Sequence, residues 1–534
     1  MRLRSTYTGI TSSRTTVEVG SGLIYNISIP SDQTWNLRAN QVVLSDGVEP
    51  PLNYEVDWGD GTSETSTSTL VSHSYVSGDY SVRVTPTGYY RPYYSFNSDG
   101  DRITSVVINP DIDFGPSLYR AWAGSNYMTS FECASNTTSG VTNFQWAWAS
   151  CNALTSFPLI DTSSGTDFRQ VWNSCDSLTS FPLINTSGGT TFYYCWSSCT
   201  SLTSFPLIDT SSGTNFFGTW YSCTSLTSFP LIDTSSATNF TNAWRNCQSL
   251  TSFPALNCSN VTTFYVTWYY CRSLTSFPPL VNTSSVLNFQ YAWAYCYALT
   301  SFSLIDTSSG TSFRHAWNSC NALTSFPAID LSSAINLESA WHFCTSLTSF
   351  PSIDCPNVTN FTRSWQGCSS LTSFPLIDTS SGTNFYLTWY GCNSLTSFPL
   401  IDTSSGTNFY GTWYLCTGLT SFPALDCSNG TNFRYTWNYC SNLTSFSTVD
   451  TSSGQSFESA WKGTNLTTFP SLDFSSGTSF YAAWRDSEIS NFPANMFDTT
   501  GTLTSNAFSW AWINCALTAQ SIENILVSLD TNGQ

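Results

Sequence analysis

The sequence predicts a long parallel repeat solenoid preceded by a small all-β sandwich, and three observations carry that expectation. A 24-residue unit, written LTSFPLIDTSSGTNFFGTWYSCTS at residues 202–225, recurs from about residue 117 to the C-terminus. Its tryptophans, from Trp122, Trp148 and Trp172 to Trp461, Trp484 and Trp512, count 17 copies. A fixed period of that size marks stacked units, each burying its apolar face against its neighbours. The region before the repeats instead alternates apolar and polar residues in short runs (LIYNISI, YEVDWG, YSVRVT), as a small antiparallel sandwich does. The predicted organisation is a flexible or docking arm at 1–16, the sandwich at 17–95, a junction and N-terminal cap at 96–116, the solenoid at 117–520, and a capping helix and tail at 521–534.

Within residues 202–225 the apolar positions form two sets. Leu202, Phe205 and Leu207 have the spacing LxxLxL of an extended segment, and Thr210 follows where Cys258, Cys355 and Cys427 stand in three other copies. Phe216, Trp220 and Cys223 stand at i, i+4 and i+7, which predicts one face of a two-turn helix. Asn215 is its N-cap, and every copy but the last has Asn, Asp, Ser or Thr there. Each unit therefore reads as a short strand, a turn from Asp209 to Gly213 and a short helix, with strands stacked in parallel ~4.8 Å apart. Pro206 and its counterparts Pro158, Pro182 and Pro230 cannot donate to a ladder, which limits the strand to about three residues ending near the proline.

The run DTSSGTNFxxxWxxCxxLTSFP resembles the BspA-like leucine-rich repeats of bacterial surface proteins and mycoplasma lipoproteins, also encoded by some phages. Phe and Trp stand here where that pattern has Met and Phe. The resemblance implies a leucine-rich-repeat solenoid used for adhesion or surface display rather than for a reaction. In the N-terminal region Asp57, Trp58, Gly59, Asp60, Gly61 and Thr62, followed by His73, Tyr75, Gly78, Tyr80, Val82 and Val84, resemble a PKD domain. That likeness implies an extracellular immunoglobulin-like spacer, with Gly59 to Gly61 forming a tight turn. Residues 96–116 hold one strand-like run, ITSVVI. At the other end SIENILVSL (521–529) places Ile522, Ile525, Leu526 and Leu529 on one face of a capping helix.

Composition narrows the function. Charged residues are 9% of the chain, against roughly 25% in ordinary globular proteins. The net charge of −18 argues against nucleic acid and against an anionic membrane surface as partners. No apolar run approaches the ~20 residues of a transmembrane helix. The opening MRLRSTYTGITSSRTTVEVG lacks the apolar core of a secretory signal peptide. The expected location is extracellular, at a cell surface or on a virion, reached through a processed start or by assembly into a particle.

Fourteen of the 19 cysteines, from Cys151 to Cys440 plus Cys515, sit three residues after a tryptophan and predict a buried thiol ladder. The aspartates after the strand (Asp209, Asp233, Asp378, Asp402, Asp426, Asp450) predict a second column of Asx-type turns. Bound calcium, which would offset their repulsion, is the one cofactor that this column leaves open. His73, His315 and His342 have no evident nucleophile partner, and no catalytic motif or metal-ligand spacing stands out. The residues around each tryptophan vary between copies and favour Tyr, Asn and Arg. Tyr265 with Tyr269, Tyr386 with Tyr390 and Tyr410 with Tyr414 fall at i, i+4, predicting aromatic rows for a cell-surface glycan or protein partner. N-glycosylation sequons occur at Asn26, Asn136, Asn185, Asn239, Asn257, Asn260, Asn282, Asn357, Asn360, Asn442 and Asn465. The expected function is a non-enzymatic adhesin or receptor-binding protein. A fibril subunit joined to copies of itself is the alternative, and ice or crystal binding by the Thr203, Thr227 and Thr251 column is the remote one.

Overall fold

The computed structural model describes residues 21–40, 51–94, 100–134 and 136–533, so the arm predicted at 1–16 lies outside the described residues. Strands β1 (Leu23–Ile29), β2 (Gln33–Asn40), β3 (Tyr54–Asp57), β4 (Ser63–Ser66), β5 (Leu70–Tyr75), β6 (Gly78–Pro86) and β7 (Arg91–Pro92) are followed by β8 (Ile103–Ile108) and β9 (Ser130–Cys133). They form one sheet of order β4-β3-β6-β1-β8-β9 and a second of order β5-β2-β7. Alternation in β1 buries Leu23, Tyr25, Ile27 and Ile29 against Trp35 and Leu37 of the facing sheet. The strand assigned by sequence to the junction, β8, is a member of the sandwich sheet. It pairs antiparallel with β1 and parallel with β9, the first strand of the repeat region. The sandwich therefore runs past residue 95, and one shared strand covers the end of the solenoid.

The predicted tight turn is present. Gly59 and Gly61 have φ of 75° and 91°, and Asp60 Oδ1 accepts from the amide and hydroxyl of Thr62 (3.0 and 2.6 Å). The hydroxyl of Thr62, and after it His73, whose Nε2 lies 2.7 Å from Oδ2, hold the Asp60 carboxyl down at about 2.

Among the described residues the two-turn helix predicted for each repeat is absent. Residues 216–222 form a zigzag of tight turns in which Gly218 and Ser222 have φ of 60° and 58°. The amides of Phe216, Gly218, Trp220 and Ser222 donate to the carbonyls of Asn239, Thr241, Ala243 and Arg245 in the next rung (3.1, 2.9, 2.9 and 2.8 Å). A helix satisfies its backbone along its own axis; here the bonds run along the solenoid axis, so each rung is completed by its neighbour. Asn215 keeps the chemistry of a cap without a helix to follow, accepting from the Phe217 amide at 3.1 Å. The i, i+4, i+7 spacing did not discriminate, because in the zigzag Phe216, Trp220 and Cys223 also all point inward and are fully buried.

The extended segment differs as well. Ladder strands of two residues occur at β10 (Ser276–Phe277) with β11 (Ser301–Phe302) and at β12 (Ser421–Phe422) with β13 (Ser445–Phe446), both pairs parallel. Elsewhere single bonds hold the register, as from the Thr203 amide to the Thr179 carbonyl (3.3 Å). Leu207, expected inside, is 61% exposed, and Ile208 takes its place in the core. The cause is a bond from the Ile208 amide to the Pro206 carbonyl (3.0 Å), a γ-type turn that rotates Leu207 outward.

Three aromatic columns fill the interior. Successive tryptophans stack between 5.2 and 5.9 Å apart and within 20° of parallel. Phe205 and Phe229 meet Trp220 edge to face (5.3 Å, 83° and 4.8 Å, 75°). Phe192 and Phe216 stack at 5.3 Å in the third column. The C-terminal helix α1 (Ala519–Thr531) closes the far end, capped by Thr518. Its inward face is polar: Ser521 Oγ donates to the Ser490 carbonyl (2.8 Å), and Ser528 Oγ accepts from the Phe497 amide (2.7 Å). Ile525 is buried beside them, whereas Ile522 and Leu526, predicted to share that face, are exposed.

Candidate ligand-binding flank

The positions that vary between rungs are those three and two residues before each tryptophan and one and two after it. The second and fourth lie in the left-handed region in rung after rung, as at Asn242 and Asn246 (φ 57° and 65°) and at Tyr435 and Tyr439 (57° and 54°). That backbone turns side chains out onto one flank of the solenoid, where residues from adjacent rungs meet. Gly218 shows the fit: a Cβ there would lie 2.5 Å from the ring of Tyr194 in the preceding rung.

Two aromatic clusters result. In the first, Tyr193 stacks on Phe217 (5.1 Å), and Tyr194 meets Tyr221 edge-on (6.2 Å). The Arg245 guanidinium lies over both Tyr221 and Tyr269 (5.5 and 5.1 Å), and Arg272 over Tyr270 (4.0 Å). Tyr291 stacks on His315 at 4.5 Å. Tyr221, Arg245, Asn246, Tyr269 and Tyr270 line an open cavity of about 290 Å³. In the second, Tyr386 stacks on Tyr410 at 5.0 Å, Tyr390 meets Tyr414 at a tilt of 50° at the same distance, and Tyr435 continues from Tyr410 at 5.4 Å.

Ring contacts thus run between rungs. Among the described residues none joins Tyr265 to Tyr269, Tyr386 to Tyr390 or Tyr410 to Tyr414, because the helical stripe that would pair them does not exist. Tyr265 is 38% exposed, and the other five are half-buried. Sequence reasoning missed Tyr221, Arg245, Tyr270, Tyr435 and Tyr439. Aligning the copies as stacked rungs, and comparing each position with the same position 24 residues away, would have found them.

Every Lys and Arg from residue 117 onward lies between three residues before and four residues after a tryptophan, on or beside this flank. Arg169, Arg314, Arg434 and Arg485 pair with Asp167, Glu338, Glu458 and Asp486 (2.5, 3.2, 2.7 and 3.3 Å). Burial, then the Arg314 charge, pushes His315 down to about 4, and burial followed by the His315 charge does the same to His342.

The acidic column sits on the opposite side of each unit in sequence. Asp209 Oδ1 accepts from the amide and hydroxyl of Ser211 (3.0 and 2.7 Å), and the hydroxyl bond foremost lowers its pKa. Beside it the buried Thr210 hydroxyl donates to the Asp233 carbonyl of the next rung, as the Cys355 thiol does to Asp378 (2.9 Å). Each of the fourteen ladder thiols donates to the tryptophan carbonyl of the rung before, as Cys223 does to Trp196 and Cys247 to Trp220 (both 3.2 Å). Burial pushes Cys223, Cys271, Cys368 and Cys416 up to about 12, far from nucleophilic use. Among the described residues no group of three His, Cys, Asp or Glu could hold a metal ion, and no helix is long and apolar enough to cross a membrane.

No family model and no curated protein matches the chain. Among solved structures it is similar to a leucine-rich repeat protein from Eubacterium ventriosum, at 13% identity and a TM-score of 0.29, covering 60% of this chain and 85% of that one. It is also similar to the functional domain of InlJ from Listeria monocytogenes, which includes a cysteine ladder, at 14% identity and a TM-score of 0.23, over 75% and 71% of the two chains. A TLR13–ssRNA13 complex gives 11% identity and a TM-score of 0.20, over 80% and 77%.

Proposed function

We propose that the protein is a non-enzymatic adhesin or receptor-binding protein of a cell surface or virion appendage. In this reading the sandwich is a PKD-like spacer, and the solenoid, of BspA-like type, presents its tyrosine-rich flank to a cell-surface glycan or protein. The observation that carries it is the placement of variation: the interior columns repeat from rung to rung, while the columns of this one flank change and collect rings and cations. Flat rings with polar rims are what sugar faces and protein partners pack against. The test is a glycan array and whole-cell binding with the full chain, beside a variant in which Tyr386, Tyr390, Tyr410 and Tyr414 are all changed to Ala. Saturable binding that the variant loses supports recognition through the second cluster. Absence of any binding by the parent chain counts against recognition altogether.

One observation favours a second reading, a structural subunit joined end to end. The outer face of α1 leaves Ile522, Leu526 and Val527 exposed at 46%, 60% and 55%. Heterologous contacts made through such a face generate open filaments. Sedimentation velocity across a concentration range decides it, with growth that Leu526→Glu abolishes as the supporting result. Ice binding has less behind it, since the Thr203 and Thr227 hydroxyls already donate to the Thr179 and Thr203 carbonyls (3.3 and 3.1 Å). Thermal hysteresis measured in solution is its check.

A further inference from the structure

The flank's arginines are of two kinds. Arg169, Arg314, Arg434 and Arg485 are neutralised by carboxylates. Arg245, Arg272 and Arg363 make no ion pair among the described residues, although the chain carries 34 acidic residues against 16 basic ones. Arg245 also lines the cavity with Tyr221, Asn246, Tyr269 and Tyr270. Its guanidinium lies within cation–π range of both the Tyr221 and Tyr269 rings (5.5 and 5.1 Å), and Nη1 donates to Asn242 Oδ1 at 3.3 Å. A guanidinium held beside two rings by one hydrogen bond keeps further N–H donors free, and a carboxylate meets such a fork with two parallel bonds. Asn246 is fixed alongside, its Nδ2 donating to Ser222 Oγ (2.9 Å) and its Oδ1 accepting from Gln248 Nε2 (2.8 Å).

From this geometry we infer that the cavity binds a carboxylate-bearing sugar, such as a sialic or uronic acid at the end of a glycan. The carboxylate sits on Arg245, the C–H face of the sugar ring lies on Tyr269 and Tyr270, and Asn246 meets a hydroxyl. The walls disfavour two other classes of ligand by their chemistry. A polyanion would need several cations in a row, and a purely apolar ligand would leave the guanidinium desolvated without a partner. At about 290 Å³ the cavity lies at the lower edge of the usual range of ligand pockets, room for one ring rather than a chain. The inference rests on the recognition reading and names the ligand for the first cluster.

The experiment is calorimetric titration of the full chain with sialyllactose, digalacturonic acid and neutral lactose, repeated with Arg245→Gln, Arg245→Lys and Arg485→Gln. One of the two acidic sugars should bind at least about tenfold tighter than lactose, and Arg245→Gln should remove that preference. Arg245→Lys, which keeps the charge without the fork, should retain part of it, and Arg485→Gln should change nothing. Near-UV circular dichroism verifies that each variant keeps the stacked core. An unchanged preference in Arg245→Gln, or equal affinity for lactose, overturns the inference. If the parent chain binds cells or neutral glycans but neither acidic sugar, this inference falls and the recognition function stands; if it binds no glycan and no cell, both fall.

Discussion

The interior and the flank of the solenoid use the same chemistry, stacked aromatic rings from adjacent rungs, to opposite ends. Inside, Trp220 is fully buried and stacks on Trp196 and Trp244 at 5.9 and 5.2 Å with Phe edges on both sides. Outside, Tyr410 stacks on Tyr386 at 5.0 Å with its rim in water. In a stack of rungs every ring has neighbours above and below, so burial alone separates a column that holds the fold from one that is free to change. Identical rings recur where shape must match on both sides, and on this flank, where one side is solvent, the residues vary, although the exposed Leu207 column repeats elsewhere on the surface.

The comparison predicts its largest effect at the centre of the interior. Trp293→Ala should cost about 3–5 kcal/mol, because it opens a cavity in a column that cannot collapse from either side. Rungs contact only their neighbours, so the loss should also divide thermal unfolding into two transitions, one for the rungs on each side. Calorimetry with near-UV circular dichroism reads both, and a single transition with a small shift would show that the tryptophan column is not what binds the rungs.

Next comes the thiol ladder. Cys320→Ala removes the bond from its thiol to the Trp293 carbonyl (3.3 Å) and should cost about 1–2 kcal/mol by chemical denaturation. Two of the 19 cysteines, Cys133 and Cys515, are only partly buried, so a thiol reagent at neutral pH should label at most those two in the native protein and all 19 after denaturation. The last rungs show why a thiol suits the place. Thr464 and Ser487 take it there, and their shorter hydroxyls donate to the carbonyls of their own Trp461 and Trp484 (2.9 and 2.6 Å) rather than to the tryptophan carbonyl of the rung before.

A smaller effect is tied to pH. His315 and His342 are held at about 4, against an ordinary value near 6.5, by burial first and then by the Arg314 charge at His315 and the His315 charge at His342. As pH falls below 6.5 the unfolded chain takes up protons that the folded chain refuses, so stability is complete above about 6.5 and declines until about 4. Discounted for solvent screening, the loss is on the order of 1 kcal/mol per histidine. Melting temperature against pH measures it, and a variant with His315→Gln and His342→Gln should flatten the slope in that window.

The period and the inward-facing Phe, Trp and Cys columns were legible in the sequence, because burial leaves a repeating signature. The backbone path was not. Val266 and Leu387 adopt φ of 60° and 52°, a region that such residues seldom occupy alone, and only bonds to the neighbouring rungs make it stable. A single repeat contains no sign of those bonds, since their partners lie 24 residues away. Leu207 misleads for the same reason: the γ-type turn at Pro206 depends on a bond that spacing does not reveal. On the flank, residue types were readable and their partners were not, so Tyr410 was paired along an imagined helix rather than with Tyr386.

The smallest predicted difference lies within the flank and separates tyrosines that pack from those that wait. Tyr265 is 38% exposed and, among the described residues, makes no ring contact, so Tyr265→Ala should change stability by less than about 0.5 kcal/mol. Tyr410 stacks on Tyr386 and meets Tyr435 at 5.4 Å, so Tyr410→Ala should cost about 1 kcal/mol more. Denaturant midpoints resolve a gap of that size. If the two variants proved equal, the second cluster would be a loose set of rings, and a partner would have to order it on binding. With the gap present, the stacked rings are ordered before any partner arrives and only the rim remains to be satisfied, which is the condition under which a solvent-facing column can be both part of the fold and a binding surface.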